Sequence, residues 1–185
     1  MTLEEYFVFE EASATRHEFM HGQVHAMSGV TRRHSRITMN IAAQVWIAAR
    51  GGPCGVHRGE VKVQTNGVTY YPDVMTACGA EPRDLRVEDA PAVVVDVLSP
   101  STERIDCGEK LLVYREIPSL RAYLIVDRDR RLVEHYWRKR RRTAERRGAQ
   151  GVTTSAIDPN SVPSTARNSR RIGPAARGVI STSIV

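Results

Sequence analysis

The sequence predicts an α/β protein: one core in which a mixed central β-sheet is flanked by helices, followed by a disordered basic C-terminal tail. Three observations carry this expectation. Residues 92–98 form a continuous apolar run broken only by Asp96, the mark of a strand covered on both faces. A helical pattern and a further strand follow it directly, which makes a strand–helix–strand layer unit. After Trp137 both apolar periodicities stop, and a stretch rich in Arg, Ser, Thr, Ala, Gly and Pro begins. Such a composition buries too little apolar surface to order itself.

The elements follow in order. Thr2 is a fitting N-cap for a helix over 3–10, whose first turn carries acids where the helix dipole favours them. Residues 17–20 and 23–27 read as a hairpin turning at Gly22. A helix is expected over 32–50: Ile37, Ile41, Ala42, Val45 and Ala49 recur at helical spacing, and Gly51-Gly52-Pro53 ends it. Residues 61–64 and 68–71 flank Asn66-Gly67, a strong hairpin signal. A strand over 73–77, a charged loop over 80–90 and the apolar strand over 92–98 come next. Ser99-Pro100-Ser101-Thr102 turns the chain into a helix over 103–116, closed by Pro118. Strands over 122–127 and 132–137 complete the core.

Length and charge narrow the classes. A chain of 185 residues suits one domain. No apolar run approaches the roughly 20 residues of a membrane helix, and the acidic start without an apolar core reads as cytoplasmic. The cysteines Cys54, Cys78 and Cys107 are scattered, without a Cys-x-x-Cys pair, and read as reduced thiols. The net charge of +6 divides unevenly: residues 138–185 hold eleven Lys or Arg against two acids, so residues 1–137 are mildly acidic. The expected organisation is a domain over 1–137 and a basic low-complexity tail over 138–185.

Asp96 is the residue that needs a reason, because an unpaired carboxylate inside an apolar strand is costly. Asp73, after Pro72 at a strand entrance, offers a second acid, and Lys110 lies on the helix that follows the Asp96 strand. Opposed carboxylates are hard oxygen donors suited to Mg²⁺ or Mn²⁺, and a lysine can stabilise charge developing on a phosphate. Weighed singly, Asp73 is turn chemistry, Asp96 a satisfied buried acid and Lys110 a solvated side chain. Together they point to metal-assisted phosphodiester chemistry. His17, His21 and His25 recur every fourth residue, but Gly22 and the hairpin break any shared metal face. His34 and Arg36, at the start of the longer helix, could face substrate phosphate but read first as solvent-exposed, and the run Arg138–Arg142 could bind a nucleic-acid backbone.

Five stretches together resemble a known family. They are residues 16–24 (RHEFMHGQV), 70–74 (YYPDV), 94–102 (VVDVLSPST), 106–110 (DCGEK) and 117–120 (IPSL) before Tyr123. The chain resembles the Uma-two family of restriction-endonuclease-like proteins, a branch of the PD-(D/E)XK nuclease superfamily, from Met1 to about Trp137. The resemblance implies a restriction endonuclease-like core, Mg²⁺ or Mn²⁺ as cofactor and DNA as substrate, with a homodimer as a fitting assembly. It assigns Asp73 and Asp96 as metal ligands, Glu18 as an auxiliary ligand and Lys110 as the transition-state stabiliser. The carbonyl of Val97 is a further candidate ligand. Two departures stand out: the family usually has glutamate where Asp96 stands, and the family-like pattern stops at Trp137 as it would in a shifted or decayed reading frame. The alternatives are therefore a catalytically inactive nucleic-acid-binding pseudonuclease and a decayed remnant.

Overall fold

The computed structural model describes residues 1–82, 84–99, 106–138 and 150–156. Among the described residues the strands divide between two mixed sheets, and three α-helices pack on them. The first sheet has the order β2-β1-β5-β4-β7, built from His17–Met20 (β1), Gln23–Ala26 (β2), Lys62–Thr65 (β4), Val68–Tyr70 (β5) and Val87–Glu88 (β7). The second has the order β11-β10-β9-β8-β6-β3. It contains Cys54–His57 (β3), Val74–Cys78 (β6), Pro91–Val97 (β8), Ala122–Val126 (β9), Leu132–Arg138 (β10) and Gln150–Ala156 (β11).

Local chemistry sets the boundaries. Thr2 and Glu5 form a reciprocal capping box on Leu3–Ala12 (α1), satisfying two N-terminal amides. His21 and Gly22 turn the β1–β2 hairpin with φ of 50° and 82°, and Asn66 and Gly67 turn β4–β5 with 47° and 74°. Two consecutive left-handed residues match the twist of the flanking strands. Thr31 caps Arg32–Ala49 (α2), its hydroxyl accepting from the His34 amide. One π-helical turn, Asp106–Lys110, leads into Leu111–Glu116 (α3). The first residues of the helix expected over 103–116 lie outside the described residues.

The second sheet carries the core on both faces. Val74, Val95, Val97, Leu124 and Val126 pack with Ile37, Ile41 and Ala42 of α2. Met75, Val94, Tyr123 and Ile125 pack with Tyr114 of α3 and with Val63, Val68 and Tyr70 of the first sheet. This two-sided burial is what the apolar run around Asp96 implied. β8 lies parallel to β9 and antiparallel to β6, with Val74 opposite Val95 and Asp96 opposite Ile125. One more step of the β6–β8 register sets Asp73 against Asp96.

Three expectations need correction. Cys54 and Cys78 are not free thiols; they face each other across β3 and β6 and form a disulfide. Their pairing arises from strand register, which a separation of 24 residues hides. The loop over 80–90 contains a short strand, β7, parallel to β4. The tail is not structureless throughout: Arg138 closes β10, and β11 pairs antiparallel with β10 from Leu132↔Ala156 to Arg138↔Gln150. Val152, Thr153 and Thr154 are β-branched, and backbone pairing to an edge needs no apolar side chain. The remaining tail positions, 139–149 and 157–185, lie outside the described residues.

Candidate active site

Asp73 and Asp96 meet where β6 begins and β8 ends. Each takes a backbone amide from the other strand: the Asp73 amide donates to Asp96 Oδ1 at 3.4 Å, and the Val97 amide donates to Asp73 Oδ2 at 2.7 Å. Side-chain carboxylates thus continue the strand pairing one step past its regular end. Tyr123, opposite Val94 and on the same face as Asp96, donates its hydroxyl to Asp96 Oδ2 at 2.9 Å. Asp96 is only 3% exposed, while the Asp73 side chain keeps 23% of its surface. The pair is therefore buried on one side and accessible on the other.

His34 completes the setting of Asp73. Its Nε2 lies 2.8 Å from Asp73 Oδ1, and the residue is 6% exposed. The expectation of a solvated His34 is thus corrected. The signal was present in the sequence: His34 shares its helical phase with Ile37 and Ile41, the face that α2 buries. Arg36 is exposed, as expected.

Glu18 and Lys110 form a second pair. Lys110 Nζ lies 2.9 Å from Glu18 Oε1, and both residues are buried. The same oxygen accepts the Tyr71 amide at 3.2 Å, so Glu18 is tied to the segment that delivers Asp73. Lys110 also sits 5.3 Å from the centre of the Tyr70 ring, a cation–π distance. The Tyr70 hydroxyl donates to Glu109 at 2.9 Å, and burial together with that bond pushes its pKa well above the ordinary tyrosine range. Tyr70 is therefore a neutral wall of the site. Val97 contributes its amide to Asp73; the sequence had pointed to its carbonyl.

The structure thus brings Asp73 to Asp96 and Glu18 to Lys110, joined through Tyr71-Pro72. Among the described residues no group of three or more His, Cys, Asp or Glu side chains converges as a metal cluster. Two acceptor-only carboxylates do, and their hydrogen bonds use part of the roughly four lone-pair sites each offers. That donor set fits a small hard cation completing its shell with water and substrate phosphate, as Mg²⁺ does. It does not fit a closed structural zinc site.

Comparison with known proteins decides the lineage. The Uma2 family, described as "Putative restriction endonuclease", matches residues 3–165. The chain belongs to the Uma2 family. The Uma2 match runs past Trp137 and includes β11, so the family pattern does not stop where the sequence reading ended it. An uncharacterized protein of Synechocystis sp. (slr1290) is 37% identical over 128 residues, covering 66% of each chain. A second uncharacterized Synechocystis protein (sll1609) is 30% identical over 143 residues, covering 74% of this chain and 80% of that one. The crystal structure of a putative nuclease of the DUF820 group from Anabaena variabilis superposes with a TM-score of 0.68. It covers 89% of both chains at 16% identity, and at that identity it speaks for the fold. Family and fold together support a nuclease of restriction endonuclease-like type. Among the described residues no helix is long and apolar enough to cross a membrane.

Proposed function

We propose that this Uma2 protein is a divalent-metal-dependent endonuclease that hydrolyses DNA phosphodiester bonds. The observation that carries the reading is the pair Asp73 and Asp96, two carboxylates brought together across β6 and β8, one of them partly open to solvent. Asp73 and Asp96 would hold Mg²⁺ or Mn²⁺. Bound there, the ion supplies Lewis acidity toward a phosphate oxygen and an activated water. Lys110 offers its ammonium to the charge that develops on the phosphate in the transition state. Glu18 keeps Lys110 oriented and serves as auxiliary ligand, directly or through water. The domain that does this extends through β11, and a homodimer would present one such site to each DNA strand.

One observation favours a second reading, binding without cutting. Asp96 is shorter than the family's usual glutamate, almost fully buried, and bonded through both oxygens. A misplacement near 1 Å costs about 10²-fold in rate. Incubating supercoiled plasmid with the purified chain separates the two. Nicking or linearisation that requires Mg²⁺ or Mn²⁺ and disappears in Asp73→Asn supports the nuclease. Salt-sensitive retention of DNA without any cleavage by the wild type supports the binding-only reading.

A further inference from the structure

We infer that His34 is a positioning residue: it fixes the rotamer of the Asp73 carboxylate from helix α2, so that the lone pairs left over are held ready for a cation. The inference rests on the reading of Asp73 as a metal ligand, and its test works with or without metal.

Asp73 lies between Pro72 and the first residue of β6, where no helix or regular strand pairing sets its side chain. Two donors from two different elements hold it. Val97 at the end of β8 gives its amide to Oδ2, and His34 on the first turn of α2 faces Oδ1 at 2.8 Å. A carboxylate only accepts, so the proton in the second contact resides on Nε2. The other ring nitrogen, Nδ1, is buried and has no hydrogen-bond partner among the described residues. A ring protonated at Nε2 and bare at Nδ1 fits both facts. It places the donor where Asp73 needs it, and the hydrogen bond of that nitrogen sets the tautomer of the ring.

His34 is itself rigidly placed. Its amide is capped by Thr31 Oγ1 at 3.2 Å, and Ile37 and Ile41 on the same helix face are packed into the sheet core. The imidazole is therefore a fixed donor held against a side chain that would otherwise rotate. Residues that orient a ligand in this way are typically worth about 10–100-fold in metal affinity or activity. The bland reading makes His34 a buried group that happens to find an acceptor. That reading does not require Asp73 to change its bond to Val97 when His34 is removed.

The Val97 amide provides the test, because its acceptor is the Asp73 side chain. Hydrogen exchange is measured on the metal-free chain, residue by residue, for wild type, His34→Leu and His34→Gln. In His34→Leu the Val97 amide should exchange about tenfold faster, the loss of one charge-assisted hydrogen bond, with Val95 unchanged. In His34→Gln, whose Nε2–H can stand where the imidazole's stood, Val97 should return toward the wild-type rate. Ile41→Val, which loosens the same helix, should leave the ratio of Val97 to Val95 rates unaltered. Equal Val97 rates in wild type and His34→Leu overturn the inference. If His34→Leu does not fold, the wild-type tautomer decides: nitrogen-15 spectra showing Nε2–H support the positioning role, and Nδ1–H contradicts it. Mn²⁺ binding, followed by its electron spin resonance signal, should weaken about 10–100-fold in His34→Leu. A wild type that binds no Mn²⁺ overturns the metal reading of the site and leaves the exchange rates to judge His34.

Discussion

Glu10 and Asp96 are both buried acids, 8% and 3% exposed, yet their surroundings differ in kind. Glu10 is surrounded by donors. Its Oε1 accepts the Tyr71 hydroxyl at 2.7 Å and the His17 amide at 3.0 Å, and its Oε2 faces His17 Nδ1 at 2.9 Å. Tyr6 adds a hydroxyl to the His17 carbonyl at 2.6 Å, and burial beside Glu10 pushes the Tyr6 pKa well up. The cluster ties α1 to β1 and to the segment entering β6. Asp96 also accepts hydrogen bonds, but its neighbour in register is another carboxylate, partly open to solvent. Two like charges side by side disfavour folding. The Glu10 cluster is closed off from solvent, whereas the Asp73 carboxylate of the second pair keeps an open side.

The contrast predicts opposite responses to mutation. The largest effect belongs to Asp73→Asn and Asp96→Asn, which should lower cleavage by more than about 10³-fold. Lys110→Met should lower cleavage by about 10²–10³-fold and also destabilise the fold by about 3–5 kcal/mol, because Glu18 is left buried without its cation. Adding Glu18→Gln to Lys110→Met should recover most of that stability and none of the cleavage. Glu10→Ala should act the other way round: about 4 kcal/mol of stability lost from orphaned donors on His17 and Tyr71, with cleavage per folded molecule retained. A fall in cleavage without a fall in stability for Glu10→Ala would erase the distinction between the two clusters.

Two smaller effects concern the frame around the site. Reducing the Cys54–Cys78 disulfide should lower stability by about 3 kcal/mol, by the loop it closes. Thiol titration should then rise from one group per chain to three. The smallest effect is at His135 on β10, whose pKa burial pushes down. The unfolded chain then binds the proton more readily, so stability is present above the ordinary histidine range and falls as pH drops through it. Denaturant melts of His135→Gln should lose that part of the acid sensitivity.

Much of this was legible in the sequence, and the exceptions have physical causes. The N-cap at Thr2, the Asn66-Gly67 turn and the apolar run around Asp96 are local signals, and α1, the β4–β5 hairpin and β8 stand where they point. β3 has too short a pattern in Cys54-Gly55-Val56-His57 to stand out beside Gly51-Gly52-Pro53; its place comes from pairing with β6. β11 is polar enough to pass for a tail, and its place comes from pairing with β10. At the site, Asp96 was visible as a residue out of place and its meeting with Asp73 was expected, whereas the partners of Lys110 and His34 were not. That Lys110 would meet Glu18, and His34 meet Asp73, depends on strand order and helix packing that no short window contains. His34 alone carried a local hint, its phase on α2.

The central claim is that Asp73 and Asp96 form a cation site whose mutual repulsion is relieved by the ion. The most direct test is a thermal melt of wild type, Asp73→Asn and Asp96→Asn with and without Mn²⁺. A ligand at 100 times its dissociation constant stabilises the native state by about 2.7 kcal/mol. The account predicts a wild-type melt that rises with Mn²⁺, and two variants whose melts do not respond to it. A wild type indifferent to Mn²⁺, or variants that respond as it does, would contradict it.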